Sequence, residues 1–116
     1  MSHRRDDLTA EIEAHLDKNL QLRAQLEVNE QMIREGLSKL RGGTRMPEIL
    51  AGQPIPEALV ATDAAVAGLF DSRQRVRRLI IGMALDDGMS VEELATTFGV
   101  TPDRVRSTGL EQLHQG

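Results

Sequence analysis

The stretch Ser90–Ser107, SVEELATTFGVTPDRVRS, decides the fold of this chain. Ser90 and Glu93 stand in S-x-x-E order, so the hydroxyl and the carboxylate can each bond a backbone N–H that the first turn of a helix leaves unpaired. A helix therefore begins after Ser90. It is short, because Gly99 follows Phe98 and can take the left-handed conformation of a tight turn. Thr101 and Pro102 restart the chain as N-cap and first helical residue. Leu94, Phe98, Val100 and Val105 are the apolar positions that fix how the two helices cross, and the small Ala95 lets them approach.

Upstream, Val76, Leu79, Ile80 and Met83 follow the i, i+3, i+4, i+7 pattern of a helix face. Asp71 and Ser72 are its candidate N-caps, and it should stop near Asp87 at Gly88. Together with "RRLIIGMALDDGM", the quoted stretch resembles the helix-turn-helix of bacterial DNA-binding domains, nearest the trihelical sigma-region-4 and LuxR-type pattern. The likeness covers roughly residues 73–110.

The resemblance implies that the helix starting at Pro102 enters the major groove, with Thr101, Asp103, Arg104, Arg106 and Ser107 exposed and Val105 facing the core. The planar donor fork of Arg104 or Arg106 suits guanine O6 and N7 or a phosphate equally well. Arg73, Arg75, Arg77 and Arg78 lie at the start of the preceding helix, either as phosphate clamps or as a solvated face. The family usually places an apolar residue three after Val105. Here Thr108 and Gly109 stand instead, which predicts a short recognition helix.

From about Asp6 to Arg41 there is no proline and one glycine, Gly36, in a composition rich in Leu, Glu, Gln, Arg and Ala, so one long helix is expected. Ile12, Asn19, Leu26, Ile33 and Leu40 recur every seven residues, and Leu8, His15, Leu22, Asn29 and Gly36 fill the companion positions of the heptad. Leu16 and Leu37 widen the apolar face. This pattern predicts a homodimer through the N-terminal helix, with Asn19 opposite its symmetry mate as the register-setting polar residue. Residues 42–56 hold Gly42, Gly43, Pro47, Gly52, Pro54 and Pro56, too many breakers for a long regular element. After Pro56, Leu59, Val60, Val66, Leu69 and Phe70 fit one face of another short helix. The expected division is a dimerisation helix over 1–41, a linker over 42–56 and a helical domain of about four helices over 57–116.

Composition narrows the function classes. With only two aromatic residues, Phe70 and Phe98, the core must be aliphatic, and an all-α fold follows from the rest of the pattern. Cysteine is absent, so disulfides and thiolate chemistry are excluded. His3, His15 and His114 lack ligand spacing, and Asp86 and Asp87 read as solvated carboxylates in a helix-ending turn. No phosphate-cradling glycine motif or nucleophile elbow occurs, so neither an enzyme nor a cofactor or metal is expected. No apolar run matches a membrane span or a signal segment, so the cytoplasm is the expected compartment, with association to the nucleoid expected from the DNA-binding resemblance.

The net charge of -4 is a mark against a general nucleic-acid coat and requires any DNA contact to come from a local patch. The reading is a homodimeric, bacterial or phage transcriptional regulator on double-stranded DNA. Its main rival is a protein-interaction adaptor, for example one docking on RNA polymerase; a phage or plasmid accessory protein with a purely structural coil is a weaker third.

Overall fold

The structure, a computed structural model, describes residues 2–115, with side chains described for 3–110. Every regular element among them is a helix, which makes the fold all-α: α1 Ser2–Arg41, α2 Met46–Ala51, α3 Ile55–Asp86, α4 Val91–Phe98 and α5 Pro102–Gln115. None of the helices is long and apolar enough to cross a membrane. The chain forms two compact units, Met1–His15 with Asp71–Gly116, and Leu16–Phe70.

In Leu16–Phe70, the breaker-rich segment is more ordered than its composition suggests. Pro47 occupies the first turn of α2, where a missing N–H costs nothing, and Ile49 is buried. Gln53 then donates from Nε2 to the Met32 carbonyl at 2.8 Å, tying the segment to α1. The α1 and α3 portions of this unit run antiparallel. Lys18 lies against Gly68, Asn29 donates to the Thr62 hydroxyl at 2.8 Å, and Gly36 packs under Gln53.

The other unit is built around Ile81, Leu94, Ala95 and Val105, all buried, with Leu85, Val91, Phe98 and Val100 packed around them. Its α1 and α3 portions pair through Glu11 with Arg75, His15 with Ser72, and Arg4 with Asp86.

Two expectations are corrected here. Asp71 and Ser72 do not start a helix, because α3 runs unbroken from Ile55 to Asp86 and the predicted pair of helices on either side of them is one element. Ser72 is fully buried, and its hydroxyl lies 2.6 Å from His15 Nδ1, a partner from another helix that removes the advantage of capping. The chain from residue 57 onward thus contributes three helices, not four. The second correction concerns α5, which continues through Thr108 and Gly109 to Gln115. A Cβ at residue 109 would meet Leu85 Cδ1 at 3.0 Å, so the glycine there reflects close packing rather than a helix end.

Candidate nucleic-acid interface

The two short helices are set by their termini. The Ser90 hydroxyl accepts from Glu93 N–H at 3.0 Å, and Glu93 Oε1 accepts from Ser90 N–H at 3.1 Å, completing the capping box. These bonds hold the Glu93 carboxyl below its ordinary pKa, the backbone N–H of Ser90 first and its side chain second. α4 ends on Gly99 at φ 66° and ψ 35°, left-handed as the turn requires. Val100 N–H then reaches back to the Ala95 carbonyl at 3.0 Å. Thr101 Oγ1 accepts from Arg104 N–H at 3.3 Å, so Thr101 caps α5.

With the turn closed, Val105 has no solvent exposure and Leu94 only 1%. The residues beside Val105 are exposed, as the pattern of the sequence requires. Arg104 and Arg106, however, point to different surroundings. Arg106 is held by Asp103 at 2.8 Å and by Glu92 of α4 at 3.7 Å. Among the described residues no carboxylate pairs with Arg104.

Arg104 instead lines a cleft of about 360 Å³ between α3 and α5, together with Arg77 and Arg78. Gln74, Ser107 and Thr108 supply further polar groups, and among the described residues no carboxylate lines it. The Arg77 guanidinium also sits over the Phe98 ring, 5.9 Å from its centroid, which orients it. Such a cleft offers donors in more than one direction to an anion, and a guanidinium binds phosphate oxygens as a fork.

The residues singled out in the sequence thus divide. Arg77, Arg78, Arg104 and Ser107 come together at the cleft. Arg106 and Asp103 neutralise one another, Arg75 is held by Glu11 at 3.1 Å, Arg73 is exposed outside the cleft lining, and Thr101 has a capping role. Gln74 and Thr108 are additions that sequence reasoning missed. Each stands four residues from an arginine of the cleft on the same helix face, which is the signal that could have found them.

No family model, curated protein or solved structure matches the chain.

Proposed function

We propose that this chain is a DNA-binding protein, a homodimeric transcriptional regulator of helix-turn-helix type whose α5 addresses the major groove. The observation that carries the reading is the convergence of three guanidinium side chains, Arg77, Arg78 and Arg104, on one cleft in a protein of net charge -4. Local positive charge of this kind is what an acidic chain needs in order to meet a phosphate backbone. Arg104 is the principal contact, with Arg77 and Arg78 positioned for the adjoining phosphates; Arg106 contributes less, because binding DNA would require it to leave Asp103 and Glu92.

Titration of the full chain against fragmented genomic DNA at several salt concentrations tests this. Affinity should fall as salt rises, since displaced counterions enter the equilibrium. Arg104→Ala should lower affinity by roughly tenfold or more with helix content unchanged, and Arg106→Ala by distinctly less. Val105→Asp, at the buried position between them, should unfold the module. The adaptor reading draws on the ion-paired state of Arg106 and the negative net charge. It takes over if the chain binds no DNA at low salt, or if Arg104→Ala leaves binding intact.

A further inference from the structure

The unit Leu16–Phe70 leaves most of its large apolar side chains on the outside. The face of α3 turned to α1 is made largely of small residues, Ala58, Ala61, Thr62, Ala65 and Gly68, with Ile55 and Leu69 half-buried at its two ends, and the seam includes polar bonds such as Asn29 to Thr62. Within this unit only Ile49 and Ala58 are buried apolar residues. Meanwhile Leu26, Ile33, Leu37 and Leu40 on α1, and Leu59, Val66 and Phe70 on α3, are each between 42% and 65% exposed.

These seven are not scattered. Leu26, Ile33 and Leu40 recur every seven residues, as do Leu59 and Val66, with Leu37 and Phe70 each four further on. On a heptad wheel, Leu22, Asn29 and Gly36 face α3, and the Leu26, Ile33 and Leu40 stripe lies immediately beside them. Ile33 and Leu59 border one groove of about 230 Å³, so the stripes of the two helices flank the same side of the hairpin. The expected seam is therefore divided: His15, Asn29 and Gly36 meet residues of the same chain, and the other half of the heptad is left outward.

We propose that a second copy of this chain covers this outer face, using α3 as well as α1, so that two hairpins form a four-helix bundle. The proposal deepens the homodimer reading above and rests on it, but replaces a coil of two N-terminal helices with an interface in which α3 supplies half of the stripes. Three observations select a second copy as the occupant. The seven side chains present on the order of 600 Å² of apolar surface, at the upper end of what a typical monomer leaves bare and near the roughly 800 Å² a partner contributes to a standard interface. The edge of α1 beside the stripe carries two charges of each sign, paired as Arg23 with Glu27 and Arg34 with Glu30, so identical copies meet without net repulsion, whereas a single-signed edge would call for a different, oppositely charged partner. Both stripes share the seven-residue spacing, so each copy presents ridges that fit the other's grooves, as an isologous interface requires.

Val28 and Val60 make the test specific, being 59% and 71% exposed but off the stripes. Sedimentation of the full chain at tens of micromolar should give a dimer. Ile33→Glu and Val66→Glu should each weaken self-association by roughly a hundredfold or more while circular dichroism stays helical, because a carboxylate would be buried without a partner. Val28→Glu and Val60→Glu should remain dimeric; if they dissociate equally, the face has no specificity and the proposal fails. Should Ile33→Glu lose helix content, Ile33→Ser reads the same contact. A dimer that Ile33→Glu dissociates and Val66→Glu does not would overturn the α3 contribution and leave the simpler coil of N-terminal helices. A wild-type monomer would overturn both, and would leave the face to a different protein.

Discussion

Arg104, Val105 and Arg106 are consecutive residues with three different surroundings. Val105 is sealed in the core, Arg106 is neutralised by Asp103 and Glu92, and Arg104 opens on the basic cleft. The inward position of Val105 was legible in the sequence, since helical spacing from the turn dictates it. The difference between the arginines was not, because the deciding partners, Glu92 on α4 and Arg77 and Arg78 on α3, are distant in sequence. Glu93 gives a prediction at this scale. A carboxylate whose folded pKa is lowered contributes stability that is fully present above its unfolded value, 4.5, and is lost as pH falls through the lower folded value. Glu93→Gln keeps a capping-box side chain but cannot titrate. The stability difference between wild type and Glu93→Gln, followed by chemical denaturation, should therefore be constant above the ordinary carboxylate range and shift against the wild type as pH drops below it. A difference independent of pH would mean that the capping carboxylate is not coupled to folding.

Elements were legible where their ends carry chemistry. The capping box, Gly99 and the Thr101–Pro102 restart all act within a few residues, and α4 and α5 begin where they indicate. Signals that compete with tertiary packing misled. Asp71 and Ser72 resemble a helix start, but Ser72 is buried inside α3 and its hydroxyl bonds to His15, fifty-seven residues away. Thr108 and Gly109 resemble a helix end, but Leu85 fills the space a side chain would need. Continuity of α3 is testable at Arg73. If a helix started at Ser72, Arg73→Pro would sit at the first helical position and be tolerated. In an unbroken helix it removes a backbone bond and clashes with the preceding turn, so it should cost about 3 kcal/mol or more in thermal or denaturant unfolding. Arg73→Ala, which keeps the backbone intact, should cost far less.

At the scale of the whole molecule, the two compact units differ in how they are held. Met1–His15 with Asp71–Gly116 has a closed aliphatic core of its own. Leu16–Phe70 has almost none, and its stability should therefore depend on association. If it gains its core from a second copy, the melting temperature of the full chain should rise with protein concentration, because a dimer binds its own folded form by mass action. A melting temperature unchanged over a hundredfold range of concentration would mean that the hairpin is stable alone. Arg104→Ala should leave this dependence untouched, and Val66→Glu should abolish it, which separates the cleft from the dimer face.

The sequence by itself determined the all-α class, the long N-terminal helix and the start, turn and restart around Gly99. Those follow from propensities and caps that operate over a turn or two of chain. It also marked every apolar heptad position of α1. What only the tertiary structure decided is which half of that heptad is used within the chain, which arginines share a cleft, and that residues 71 and 72 lie inside a helix. Each depends on side chains brought together from separate helices. A local pattern records that a residue can be buried or can bind a charge, but the geometry of packing selects its partner.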